Sequence, residues 1–161
     1  MKNKLFNSLL LFALVGIALG FFGMLYEGVV TIPKMLDTSM QRMLFWKNFY
    51  AVVNPITYYI PLTPLATITL VVLYFVTPKE KDIKKRLGAA GALQIIVLAM
   101  TFYIVTQINL KLYFSDLEKY ADVIPGKVLL INILSVVRLA LGAIALIFVF
   151  RAHVQTQKEL Q

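Results

Sequence analysis

The chain has 161 residues, of which 60% are hydrophobic and only 15% charged, and its formal net charge is +8. Soluble domains are about half apolar and a quarter charged, so this composition excludes an ordinary soluble domain and an intrinsically disordered chain. With no cysteine and one histidine, the sequence excludes disulfides, thiolate nucleophiles and cysteine or multi-histidine metal sites. We therefore expect no metal and no cofactor. Nucleic acid is also not expected as a partner, because the basic residues flank apolar runs rather than gather on one folded face.

Four apolar segments are long enough to cross a hydrocarbon core, which takes about 20 helical residues. In chain order they are Leu5–Val30, Pro55–Val76, Leu87–Ile108 and Lys127–Phe150. They predict an all-α integral membrane protein, an up-down-up-down four-helix bundle forming a single domain over residues 1–161. The first segment exceeds the apolar core of about 7–15 residues found in signal peptides and lacks a cleavage site, so we interpret it as an uncleaved signal anchor.

The loop after the first segment has the pattern of a short interfacial helix. Asp37-Thr38-Ser39 offers helix-capping groups, and methionine and aromatic residues follow at mostly helical spacing up to Tyr50. We interpret this stretch as an amphipathic helix on the membrane surface, with Trp46 and Tyr50 as headgroup anchors. In the loop after the third segment, Ser115–Glu118 fits a capping box that starts a short helix ending before Pro125.

The distribution of basic residues predicts the orientation. The side that carries the termini and the loop between the second and third segments holds nine Lys/Arg residues, and the opposite side holds six. The positive-inside rule then places both termini in the cytoplasm and the chain in the cell membrane. These fifteen residues leave one of the sixteen, Arg138, near the middle of the fourth segment.

Prolines mark the second segment at positions 55, 61 and 64. Each proline removes a backbone donor and disfavours helix at the residue before it, so we expect the outer half of this segment to be bent or partly unwound. Freed carbonyl groups are tolerated in a membrane only where protein or a water-filled cavity satisfies them. That outer half is therefore expected to face the bundle interior.

Two ionisable residues interrupt the apolar segments, Glu27 in the first and Arg138 in the fourth. Such residues are expensive in hydrocarbon and are functional-site hypotheses for that reason. Helical spacing places both on seams of small or polar residues, and the third segment carries a similar seam. We expect the three seams to face one another. The seam of the first segment is Gly16, Gly20, Gly23 and Glu27. The seam of the fourth is Asn132, Ser135, Arg138, Gly142 and Ala145, and that of the third is Gly91, Gln94, Leu98 and Thr101.

Two interpretations of these polar residues stay open. Glu27 and Arg138 differ in depth by about one helical turn, so they can form an ion pair; alternatively, each is satisfied separately by neighbouring polar groups. Likewise, the polar residues of the outer half form either an outward-opening ligand pocket or a buried hydrogen-bond network that fixes helix packing. In the pocket interpretation the ligand-binding candidates are Asn54, Tyr58, Asn109, Asn132 and Ser135.

The order of features resembles a family of small four-helix membrane proteins that includes the anthrone oxygenases. The resemblance covers most of the chain. It lies in a glycine-rich first helix running into a proline (Gly20 to Pro33), Asn54-Pro55, Thr106-x-x-Asn109 and the arginine of the fourth helix, Arg138. Leu134 and Ser135 stand where family members often carry Trp and Asn.

This resemblance implies cofactor-independent oxygenation of a phenolic or quinone-like substrate. Glu27 is then the only intramembrane carboxylate able to act as the base, and Arg138 supplies a fixed charge. The leading hypothesis is a membrane bundle that binds a small, largely apolar ligand in an outward-facing pocket. The alternative is a structural or accessory subunit without catalytic activity, whose glycine seam packs against a partner or a second copy. Membrane lipid is expected as a partner in both.

Overall fold

The regular structure of the chain is entirely helical in the computed structural model, which describes residues 2–31, 37–52, 55–78, 82–113 and 117–158. Helix α1 spans Lys2–Tyr26 and continues into a π-helical turn, Glu27–Thr31. Helix α2 spans Met40–Val52 and helix α3 spans Pro55–Val76.

The second part of the chain repeats the pattern of long helices. Helix α4 spans Asp82–Tyr103, continues into a wide π-helical turn, Ile104–Asn109, and ends in the short helix α5, Leu110–Tyr113. A 3-10 helix, Glu118–Val123, leads into α6, which spans Ile124–Lys158. The short helix expected before Pro125 is therefore present as a 3-10 turn, while Ser115 and Asp116 of its expected capping box lie outside the described residues.

Three of these helices are long and apolar enough to cross a membrane: Lys4–Val30, Asp82–Asn109 and Glu118–Lys158, with their flanking turns included. Pro61–Val76 is a shorter apolar helix by the same measure. The predicted fourth segment is underestimated at both ends, because α6 begins at Ile124 and continues to Lys158.

Helix α3 corrects one expectation. It runs without interruption from Pro55 to Val76, with Pro61 and Pro64 inside it, so the prolines do not unwind it. Pro55 occupies the first helical position, where a missing N–H costs nothing. The Thr77 hydroxyl donates to the Leu73 carbonyl (2.6 Å) at the other end, where the helix stops just before Pro78.

The long helices pack in four pairs: α1 with α3, α1 with α6, α3 with α4, and α4 with α6. One apolar cluster, here called the termini-end cluster, joins the first half of α1, the second half of α3, the start of α4 and the second half of α6. Its fully buried residues include Leu10, Leu70, Leu87 and Val149. Near it, the Gln157 amide donates to the Asn7 side chain (2.7 Å) and ties the end of α6 to the start of α1.

A second apolar cluster, here called the α2-end cluster, lies at the other end of α4 and α6. It consists of Met43, Trp46, Tyr50, Ile104, Ile108, Leu117, Ile124, Val128 and Ile131. Just before α2, the Ser39 N–H donates to the Asp37 carboxylate (3.0 Å), and the Ser39 carbonyl accepts the first hydrogen bond of the helix from the Met43 N–H (3.0 Å). The helix therefore starts where the sequence predicts, and its inward face is part of the protein core.

Candidate functional site

The candidate site is built around Arg138, which lies in the middle of α6 and is 7% exposed. One guanidinium nitrogen, Nη2, lies 4.0 Å from Oε2 of Glu27, at the point where α1 gives way to the π-helical turn. The other terminal nitrogen, Nη1, donates to the Thr101 hydroxyl on α4 (3.0 Å). The sequence left two alternatives for Arg138, an ion pair with Glu27 or a neighbouring polar group. The structure has both partners, Glu27 and the Thr101 hydroxyl.

Thr101 is oriented by its own helix. Its hydroxyl donates to the Val97 carbonyl one turn earlier (2.7 Å), which leaves the oxygen lone pairs to accept from Arg138. The π-helical turn Ile104–Asn109 begins three residues after Thr101. Because π-helical turns within α-helices are frequent at functional sites, the two turns that flank this ion pair, on α1 and α4, mark it as a candidate site.

Two tyrosines extend the site around Glu27. The Glu27 carboxylate accepts a hydrogen bond from the Tyr59 hydroxyl on α3. Tyr50 on α2 lies close enough for the Glu27 charge to act on it: burial raises the pKa of the Tyr50 phenol above its ordinary value, and Glu27 and Tyr26 raise it further. The Tyr50 hydroxyl therefore stays protonated and remains a hydrogen-bond donor at neutral pH. Each long helix and α2 thus contributes one residue to the site.

Several buried polar atoms near this end of the molecule have no hydrogen-bond partner among the described residues. They are Nε of Arg138, both amide atoms of Asn132, Nε1 of Trp46 and the hydroxyl of Thr63. Buried polar groups are nearly always paired in proteins, because an unpaired one costs about 1–3 kcal/mol. Within the described ranges, the Nε–H of Arg138 is therefore a buried donor that still lacks an acceptor.

The other predicted site residues lie on α6, near the π-helical turn of α4, or outside the described part of the chain. Ser135 is buried one turn before Arg138, and Asn132 lies one turn before Ser135 on the same helix. Asn109 is half-buried at the end of its π-helical turn and, within the described ranges, has no hydrogen bond to Glu27 or Arg138. Asn54 lies outside the described residues, and Tyr58 lies on α3 with its side chain outside them.

Trp46 and Tyr50 were predicted to be headgroup anchors, and that prediction is wrong. They are 7% and 8% exposed, and their rings stack on each other at 5.7 Å in the α2-end cluster. With Met43 they form the face of α2 that meets the π-helical turn Ile104–Asn109 and the start of α6, where apolar side chains offer more burial than a headgroup region does. Phe45 and Phe49 lie on the exposed side instead.

The glycine seam of α1 also differs from its predicted role. A Cβ at Gly16 would lie 2.7 Å from the Ala66 Cβ, and one at Gly20 would lie 3.0 Å from the Thr63 hydroxyl. This part of the seam therefore faces α3 rather than the seams of α4 and α6. The close approach is used within the chain, so Gly16 and Gly20 offer no free surface for a partner or a second copy.

From the sequence, Tyr58 and Tyr59 are both able to hydrogen-bond a ligand, and only Tyr58 was assigned to the site. Tyr50 was assigned to the headgroups, and Thr101 was placed on a seam without being assigned to the site. Thr101 could have been found from its spacing, since it lies on the same predicted face as Gln94 and at the depth of Arg138. Tyr59 carries no comparable signal, because Tyr58 stands beside it and the sequence does not tell which of the two points inward.

Comparison with models of known protein families, with curated proteins and with solved structures finds no match for this chain.

Proposed function

We propose that the chain is an integral membrane four-helix bundle of up-down-up-down topology that binds a small, largely apolar ligand beside Arg138. In this proposal both termini are cytoplasmic, and the site lies in the outer half of a cell-membrane protein, beneath α2. The observation that carries the proposal is the Arg138 guanidinium, which is buried within an apolar helix and whose Nε–H has no acceptor in the part of the chain that the structure describes.

The two apolar clusters support the up-down topology. The termini-end cluster brings the N-terminal halves of α1 and α4 together with the C-terminal halves of α3 and α6. This is the pairing expected when consecutive long helices run antiparallel. Helix α3 has 22 residues, which is enough to cross a hydrocarbon core of about 30 Å at 1.5 Å per residue.

The charges of the site support a neutral or weakly polar ligand rather than a strong anion. Glu27 already offsets the charge of Arg138 at 4.0 Å, so a second carboxylate would meet the repulsion of the first. The Nε–H of Arg138 suits one carbonyl or phenolic oxygen. Since the surrounding helices are otherwise apolar, the remainder of the ligand is expected to be a hydrocarbon ring or short chain.

The resemblance to anthrone oxygenases agrees with this ligand class and adds a reaction. It implies that a phenolic or quinone-like ring is oxygenated without a cofactor, with Glu27 as the base. Only the resemblance supports the reaction, whereas the contacts of Arg138 support the binding site.

The binding proposal is tested by ligand-dependent thermal stabilisation of the purified protein. We expect 1,4-naphthoquinone and 2-naphthol to raise the unfolding temperature, since a ligand that binds only the folded state stabilises it. Naphthalene, which has the same ring system but no acceptor oxygen, should raise it less. The Arg138→Gln variant should lose the difference between the three compounds. Arg151→Gln, an exposed arginine further along the same helix, should keep it.

Equal shifts for naphthalene and the two oxygen-bearing compounds in the unmodified protein would refute the role of Arg138. The topology has its own test, because the chain has no cysteine. A membrane-impermeant maleimide applied to intact cells should label Asp122→Cys and leave Lys85→Cys unlabelled. The reverse result would invert the orientation.

A further inference from the structure

Helix α2 has a second apolar face that no other part of the described structure covers. Phe45, Phe49 and Val52 are 53%, 55% and 85% exposed. Their spacing of four and three residues places them in one stripe along the helix, and the rings of Phe45 and Phe49 stack at 6.3 Å. We call this stripe the phenylalanine face.

The inward face of α2 is only one part of its circumference. Met43, Trp46 and Tyr50 pack against the π-helical turn Ile104–Asn109 and the start of α6. The phenylalanine face lies about a third of a turn away around the helix, and Gln41, four residues before Phe45, lies at its N-terminal end. A helix that packs on protein with one apolar face and exposes a second is expected where protein and lipid meet on neighbouring sides.

The charge of α2 and its place in the chain favour lipid as the occupant of the phenylalanine face. Arg42 and Lys47 are its two charged residues, and both are basic, as expected beside phosphate headgroups. Arg42 Nε also lies 3.5 Å from Oδ2 of Asp37, just before the helix, and both side chains of this pair are about half exposed. Val52 also lies three residues before Pro55, where α3 begins. The phenylalanine face is therefore continuous along the chain with a helix that enters the hydrocarbon core.

We propose that the phenylalanine face of α2 docks into the interfacial region of the phospholipid bilayer. This inference rests on the membrane placement given under the proposed function. It has a consequence for the site, because Tyr50, on the neighbouring inward face of the same helix, lies close enough for the Glu27 charge to act on it. The bilayer, by holding α2, then also holds Tyr50 in its position at the site.

Spin labelling at single introduced cysteines tests this docking without altering the core residues of α2. The variants are Phe45→Cys, Phe49→Cys, Asp122→Cys and Phe22→Cys, in the full chain reconstituted into vesicles of phosphatidylcholine and phosphatidylglycerol. Phe22 is 58% exposed on α1 and serves as the lipid reference, and the exposed Asp122 of the 3-10 helix serves as the water reference. Collision rates with oxygen report lipid, and collision rates with a neutral nickel chelate report water.

The labels at positions 45 and 49 should resemble position 22, with a ratio of oxygen to nickel accessibility several-fold above that at position 122. A nickel accessibility at 45 and 49 equal to that at 122 would overturn the docking. Low accessibility to both reagents with spin–spin broadening would overturn it as well, since a second copy of the chain would then cover this face. If position 22 is also open to nickel, the membrane placement itself fails, which separates the two proposals.

Discussion

The two ends of the long helices solve the packing problem in different ways. At the termini end, leucine, isoleucine, alanine and valine fill the space between all four long helices, and small residues such as Gly16 let backbones approach closely. At the α2 end, the same helices carry a charged pair, and the arginine of that pair also bonds a threonine hydroxyl. Buried polar atoms without a partner among the described residues occur at both ends, Nε of Arg138 at one and Nδ1 of His153 and Oε1 of Gln155 at the other. The buried ion pair is therefore what distinguishes the α2 end, and departures from plain apolar packing are expected at functional sites.

The largest expected effect is at the termini end. Leu70→Ala removes a fully buried side chain of α3 and should lower the free energy of unfolding by about 2–5 kcal/mol. Leu65→Ala, on the same helix but 53% exposed, is the matched control and should change it by about 0.5 kcal/mol or less. Denaturant titration in detergent micelles measures both. Equal losses would mean that the termini-end cluster is not a packed core.

The glycines sharpen the same contrast with effects of opposite sign. Gly16→Val should destabilise the protein by about 1–3 kcal/mol, because even a Cβ there would lie 2.7 Å from the Ala66 Cβ. Gly91→Ala should stabilise it by about 0.5–1 kcal/mol, since an added Cβ meets no atom within 4 Å and alanine favours the helix. The same titration tests both, and a tolerated valine at position 16 would contradict the close α1–α3 contact.

A smaller effect is expected for the charged pair. The single variants Glu27→Gln and Arg138→Gln, with the double variant, form a thermodynamic cycle whose coupling energy should be about 0.5–2 kcal/mol. The separation of 4.0 Å lies at the outer limit of an ion pair, which keeps the coupling modest. Simple additivity of the two free-energy changes would remove the pair and leave Thr101 as the functional partner of Arg138.

Much of the helical arrangement was predictable because hydropathy and length decide it. The run of apolar residues alone gives α3 its bounds, Pro55–Val76, and the polar run Asp37–Ser39 marks the start of α2 at Met40. The burial of Trp46 was not predictable, because an amphipathic helix has the same periodicity whether its apolar face meets lipid or protein. Nor was the use of Gly16 and Gly20, since a glycine seam fits a neighbour within the chain as well as one outside it.

The site was predictable in its two charges and less so in its partners. Glu27 and Arg138 stand out because a charge in an apolar helix is costly and needs a reason. Tyr59 reaches the site because of the direction in which its side chain points from α3, and Tyr50 reaches it because of the way α2 packs on the rest of the protein. Both are set by tertiary packing. The two π-helical turns, one beginning at Glu27 and one beginning three residues after Thr101, have no recognisable signal in the composition of their segments.

The binding of an oxygen-bearing ring beside Arg138 can be measured most directly through Trp46, the only tryptophan of the chain. Its ring stacks on Tyr50, which lies close to Glu27, so a quinone bound at the site should quench its fluorescence. Titration with 1,4-naphthoquinone should give saturable quenching in the unmodified protein, and Arg138→Gln should weaken the apparent affinity by about tenfold, which is 1.4 kcal/mol. Quenching that rises linearly without saturation, or with the same midpoint in both proteins, would contradict the proposed site.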